Sequence, residues 1–157
     1  MPRPVTVRPR PTRPGPPALA DRVARLSLAW VFVHAGVDVL RHPEPRAAIA
    51  APFLSAVREA APVALPEDLA LVRVNAATQV VAGTALAAGV APRLAAAALL
   101  GSLVPTTVGG HPFWSIEDAT EQNRHRVHFD KNVGLFGGLL LVLTTPRWGR
   151  ARPERRG

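Results

Sequence analysis

The sequence predicts an all-α protein, a four-helix transmembrane bundle with an external amphipathic helix between spans 1 and 2. Three observations lead there. Hydrophobic residues make up 48% of the 157, yet the net charge is +8, an unusual pairing for a single domain. The charge sits at the ends: six of the nineteen basic residues precede Leu26 (Arg3, Arg8, Arg10, Arg13, Arg22, Arg25), and five follow Thr145 (Arg147, Arg150, Arg152, Arg155, Arg156). Between them, apolar runs alternate with short polar connections, and the polar residues within the runs fall at one end of each.

Residues 1–20 open the chain with Pro2 to Pro17, a Pro/Arg-rich stretch that cannot bond as a helix and reads as a disordered or polyproline-like cytoplasmic tail. Its arginines read as a positive flank attracted by lipid rather than as a nucleic-acid arm. A cleaved signal peptide needs a small-residue site after the first apolar run, but Val37-Asp38-Val39-Leu40-Arg41-His42-Pro43 stands there, so that run reads as a retained anchor.

The transmembrane domain is expected over 21–146, with spans at about 23–40, 69–90, 92–109 and 130–146. The first span is short and contains His34 and Asp38, four apart and therefore on one helical face. Ionisable groups at membrane depth are costly, so that face is expected to point into the bundle. Ala47 to Ala60 then reads as an amphipathic helix, with Ile49, Phe53, Leu54 and Val57 set against Arg46, Arg58 and Glu59. Pro52 is expected to confine it to its later part, and the helix to lie on the bilayer surface or cap the bundle.

Pro66-Glu67-Asp68 starts the second span, with proline in the first turn and carboxylates at the positive end of the helix dipole. Asn75 and Gln79 share a face of that span, with Arg73 close by. Ala91-Pro92-Arg93 is a turn into an Ala-rich third span, where Pro105 is expected to introduce a kink and Thr106 or Thr107 to bond the freed carbonyls. Gly110 to Asp130 reads as an external loop, with Phe113 and Trp114 at interface depth. Val133 to Thr145 forms the fourth span, whose Gly134 and Gly138 offer a face for close helix approach. Residues 147–157 form a second basic cytoplasmic tail.

Charge counts set the orientation. The tails carry eleven basic residues against Asp21 and Glu154, whereas Arg41 to Asp68 and Gly110 to Lys131 each carry three basic against four acidic. The positive-inside rule then gives a multi-pass cell-membrane protein with both termini cytoplasmic and both longer loops outside.

Because a helix rises about 1.5 Å per residue, depth follows from sequence position. His34 and Asp38, Arg73, Asn75 and Gln79, Thr106, Thr107 and His111, and Lys131 and Asn132 all fall at the outer ends of their helices. These ten form the candidate pocket, able to hold a quinone headgroup, a lipid headgroup or a small solute. The alternative is that they bond between helices as packing contacts, with Asp38 paired to Arg73 or Arg41.

No catalytic residue is assigned. The absence of Cys excludes disulfides, thiolate catalysis and Cys-ligated metal centres. His125-x-x-His128, with Glu121 and His111, has no recognised zinc spacing, so no metal is expected. Phosphate-binding glycine loops and nucleophile motifs are also missing, and no covalently bound cofactor is expected.

Several segments together resemble the DoxX family of small four-helix bacterial membrane proteins. They are Val31-Phe32-x-x-Ala35-Gly36-x-Asp38-x-Leu40-x-His42-Pro43, Asn75 with Ala82-Gly83, Leu103-Val104-Pro105-Thr106-Thr107 through Gly110-His111-Pro112-Phe113-Trp114, and His128-Phe129-x-Lys131-Asn132-x-x-Leu135-x-Gly137-Gly138-Leu139-Leu140. The resemblance runs from Arg25 to Val142. Members of that family are linked to thiosulfate:quinone oxidoreduction and to a membrane oxidoreductase complex with superoxide dismutase and a sulfurtransferase. What the resemblance implies here is a membrane subunit of an oxidoreductase system in a bacterial inner membrane, with quinone as cofactor and an oxidoreductase partner subunit beside the lipid bilayer. In that reading Asp38 and His34 accept protons, while Lys131, Asn75 and Asn132 orient the ligand. The other reading is a nonenzymatic carrier or scaffold for a small solute, lipid or partner protein. Oligomeric state is left open.

Overall fold

The computed structural model describes residues 19–145, where five helices follow one another: α1 (Leu19–Arg41), α2 (Pro43–Ala60), α3 (Asp68–Ala88), α4 (Pro92–Gly110) and α5 (Ala119–Thr144). A short 3-10 turn, Phe113–Ser115, joins α4 to α5. The two tails lie outside the described residues, except that Leu19 and Ala20 already belong to α1.

Three helical stretches are long and apolar enough to cross a membrane: α1, α3, and α4 with the turn that follows it. This corrects the expected four-span bundle to three spans with additional helices, one of them between spans 1 and 2. The reason lies in α5. Its apolar part runs only from Val133 to Thr144, which at 1.5 Å per residue reaches about 18 Å against a hydrocarbon core of about 30 Å. The rest of α5 is charged and polar.

The expected loop before residue 130 is mostly helix as well. Asp118 caps α5, its carboxylate accepting the Glu121 backbone N–H at 2.8 Å, and Glu121 pairs with Arg124 one turn on. With no Gly or Pro from Ala119 to Val133, nothing breaks the helix between that cap and the apolar half.

α2 also starts earlier than its periodicity suggests. His42 alone separates it from α1, and Pro43 and Pro45 in its first turn need no intrahelical donor there. Pro52 is accommodated inside the helix.

α1 packs mainly on α3, α4 lies between α3 and α5, and α2 crosses α3 and α4. The close helix approach occurs at Gly36 and Gly83 rather than at Gly134 and Gly138. A Cβ on Gly36 would sit 2.7 Å from the Ala76 carbonyl, and one on Gly83 would sit 2.8 Å from a Val33 methyl. Gly134, by contrast, has open space where a Cβ would project, and Gly138 meets only the Leu28 side chain.

The two ends of the bundle differ. At one, Arg25 lies against the Gly89 turn and Arg93 donates to the Thr145 carbonyl at 2.9 Å, so α5 ends beside the α3–α4 turn. The core fills this half with Leu86, Ala95, Ala96, Leu99, Leu139 and Val142. At the other end α2 packs across α3 and α4.

Candidate functional site

A cavity of about 950 Å³ is walled by residues of all five helices, a volume at the upper end of the usual range for small-molecule sites. Val31, Phe32, Ala35 and Val39 of α1 line one side and Ile49, Phe53, Leu54 and Val57 of α2 cover another. Leu71, Val72, Leu103 and Leu135 add further apolar surface from α3, α4 and α5. α2 is held over the opening by Phe53, whose ring packs on Gly109; a Cβ there would come within 2.8 Å of it.

Polar groups enter this apolar shell along two hydrogen-bonded seams. Asn75 and Gln79, one helical turn apart on α3, both donate to the Thr106 hydroxyl, at 3.0 and 3.2 Å. Thr106 in turn donates to the Ser102 carbonyl at 2.8 Å. Thr107, about 100° further round α4, faces α5 and accepts from Asn132 at 3.1 Å while donating to the Leu103 carbonyl at 2.7 Å. Adjacent threonines thus tie α4 to a different neighbour on each side. Pro105 leaves the Gly101 carbonyl without its helical donor, and the Thr106 and Thr107 hydroxyls bond the carbonyls one and two residues further on.

Where α5 passes the end of α4, three imidazoles meet. His111 and His128 are stacked, with ring centroids 4.9 Å apart and planes at 12°, and His125 meets His111 edge-on at 5.4 Å. Arg46, Arg124 and Lys131 line the same end of the cavity. Lys131 Nζ lies 3.4 Å from His128 Nδ1. Partial burial, followed by the charges of Lys131 and Arg46, the neighbouring His125 and Arg124, holds the His128 pKa below its ordinary value of 6.5. Ser102 Oγ, His111 Nδ1 and His125 Nδ1 are buried without a hydrogen-bond partner, and all three residues line the cavity. Buried polar atoms are seldom left unpaired. Among the described residues no group of three or more His, Asp or Glu is arranged to hold a metal ion.

Of the ten pocket residues expected from depth, Asn75, Gln79, Thr106, His111, Lys131 and Asn132 line the cavity. Thr107 is buried behind the wall, bonded to Asn132. His34, Asp38 and Arg73 are exposed and do not line it. α1 turns Ala29, Phe32 and Gly36 inward, and His34 and Asp38, each two residues further along, therefore emerge about 200° away. His34 stacks on exposed Trp30, with centroids 5.7 Å apart. No Asp38 partner occurs among the described ion pairs, which are Arg58–Asp68 at 2.6 Å and Arg124–Glu121.

Reasoning from depth missed Arg46, Ser102, Arg124, His125 and His128. The available signal was the row His125, His128, Asn132, Leu135, spaced i, i+3, i+7, i+10, which marks one face once the segment is known to be helical.

A family model described as DoxX matches residues 20–112, more than half of the chain. The match takes in α1 to α4 and stops at Pro112, so the similarity expected through Val142 is found only as far as the end of the third span. Neither the curated proteins nor the solved structures gave a match.

Proposed function

This chain belongs to the DoxX family, and from that premise we propose that it is a membrane protein that binds an amphipathic small molecule, its head at the polar end of the cavity and its body along the apolar wall. One observation carries this reading: a cavity of about 950 Å³, mostly apolar, whose wall also includes Asn75, Gln79, Thr106, His128 and Lys131. Packing contacts alone explain the Thr106 and Thr107 seams, but they do not account for an apolar-walled cavity of ligand size beside them.

Binding without chemistry, as a carrier or scaffold, fits these residues better than catalysis. Asp38 and His34, the groups assigned to proton transfer, are exposed and do not line the cavity, and among the described residues no Asp or Glu lines it. The oxidoreductase-subunit reading is the form in which the bound molecule is a quinone, with Asn75, Gln79 and Lys131 as donors to its carbonyls and a partner subunit supplying electrons. In either form, the end of the bundle with Arg25 and Arg93 faces the cytoplasm, following the positive-inside rule.

Gly101 provides the test. It lines the cavity, and a Cβ added there meets nothing within 4 Å, so Gly101→Leu adds bulk to the cavity wall without a clash at Cβ. Equilibrium binding of a long-chain alcohol and of a short-tailed quinone to the purified chain should weaken in Gly101→Leu. Equal binding by both proteins would refute the site. Quinone reduction in membranes carrying Asp38→Ala or Lys131→Ala separates the two forms: unchanged turnover in both removes the catalytic one.

A further inference from the structure

The charged groups on the cavity wall all have one sign. Arg46 comes from α2, and Arg124 and Lys131 from α5; His111 of α4 and His125 and His128 of α5 are the other titratable groups there. α1 contributes only apolar side chains, and α3 contributes the uncharged Asn75, Gln79 and Thr78 among apolar neighbours. Among the described residues no Asp or Glu lines the cavity. Glu121, the carboxylate bonded to Arg124, lies outside the wall, and Arg58 and Asp68 satisfy each other elsewhere, at 2.6 Å.

Arg46, Arg124 and Lys131 are exposed at the wall, and Arg124 keeps its pair with Glu121, so Arg46 and Lys131 are the cations there without a carboxylate partner among the described residues. The lowered pKa of His128 reports their field, with Lys131 and Arg46 among its causes after burial. The rest of the wall is mostly apolar and far more extensive than a bare oxyanion would need.

We infer that the occupant is an anionic amphiphile, an acyl-chain molecule whose carboxylate or phosphate oxygens sit among Arg46, Arg124 and Lys131 while its chain lies against Phe32, Leu71 and Leu103. The inference rests on the amphiphile-binding reading above and narrows it from any polar head to a negatively charged one. Arginine suits such a head because its planar fork can donate two parallel hydrogen bonds to carboxylate or phosphate, and the lysine adds a mobile point charge. Asn75 and Gln79 are left to bond Thr106, as they do in the chain alone.

The test compares matched probes on the full chain in a nonionic detergent at pH 8, where the carboxylate is ionised. Oleate should bind at least about tenfold tighter than oleyl alcohol, the step expected from one charge-assisted hydrogen bond. Arg46→Gln and Lys131→Gln, both conservative in size, should each weaken oleate by roughly tenfold and leave oleyl alcohol unchanged. Phosphatidylglycerol and phosphatidylcholine presented in the same micelles identify the source of the anion: preference for phosphatidylglycerol over oleate assigns it to a lipid headgroup, the reverse to a free fatty acid, and either supports the inference. Equal affinity for oleate and oleyl alcohol, with no effect of either substitution, overturns it. If Gly101→Leu still weakens both probes in that case, amphiphile binding survives and only the charge assignment falls. If no probe binds the wild-type chain, both readings fall together. Helix content by circular dichroism confirms that each variant is folded before its binding is scored.

Discussion

Thr106→Val is the most informative perturbation of the polar seam. Valine keeps the shape of threonine but removes the acceptor that Asn75 and Gln79 share, at 3.0 and 3.2 Å, together with the donor to the Ser102 carbonyl. Side-chain hydrogen bonds between helices in membranes average about 0.6 kcal/mol and reach about 1.7. Two are lost, and Gln79 is only 5% exposed, so its amide must find another partner or remain buried and unpaired at a cost of about 1–3 kcal/mol. The expected destabilisation is therefore about 1–3 kcal/mol. Thr84→Val is the control, because Thr84 is exposed and its hydroxyl bonds only the Val80 carbonyl of its own helix, at 2.7 Å; its cost should be within about 0.5 kcal/mol of zero. Both can be measured by reversible unfolding in mixed micelles followed by far-ultraviolet circular dichroism. Asn75→Ala combined with Thr106→Val should cost less than the sum of the two, because the pair shares one bond. A Thr106→Val protein as stable as Thr84→Val, with additive double-variant energies, would show that the seam contributes nothing.

Other expectations follow from the same geometry. Gly36→Ala drives a methyl to within 2.7 Å of the Ala76 carbonyl and should destabilise the α1–α3 pair by about 1–3 kcal/mol, whereas Gly134→Ala, with open space around it, should be neutral or slightly stabilising in the same unfolding assay. The lowered pKa of His128 means the folded chain resists a proton that the unfolded chain accepts. Stability should thus fall as the pH drops below about 6.5, and His128→Gln should reduce that slope in a pH series of unfolding midpoints. The chain has no cysteine, so single-cysteine variants can report sidedness directly. Ala60→Cys and Arg126→Cys should react with an impermeant maleimide from one side of the membrane, and Val90→Cys from the other.

Depth along the helices was legible in the sequence, but the direction each face points was not. Asn75, Gln79, Thr106 and Asn132 could be placed together because rise per residue is constant and the apolar runs mark their own ends. His34 and Asp38 share a face, as their spacing requires, yet no local rule says which face of α1 meets α3; the small residues Ala29 and Gly36 decide that by admitting the α3 backbone. The same rule explains the misplaced glycine contact. Gly134 and Gly138 have the spacing of a packing face, but close approach occurs where a partner helix is present, at Gly36 and Gly83. α5 was misread because Glu121, Gln122, Asn123 and Arg124 have the composition of a loop, although Asp118 caps them and no breaker follows. Reading that stretch as helix brings His125, His128 and Asn132 into one row. It also shows why the last apolar segment, continuous with so much charge, does not count as a fourth span. Arg46 was out of reach of sequence reasoning, since its place beside α5 depends on how α2 folds back across α3 and α4.

Native mass spectrometry of the chain released from mild detergent tests the central claim most directly. The wild-type protein should retain a bound species of lipid-like mass, and Gly101→Leu, which fills the cavity from within, should lose it under identical activation energy. Bare chain in both spectra, or the same adduct carried equally by both, would contradict the account.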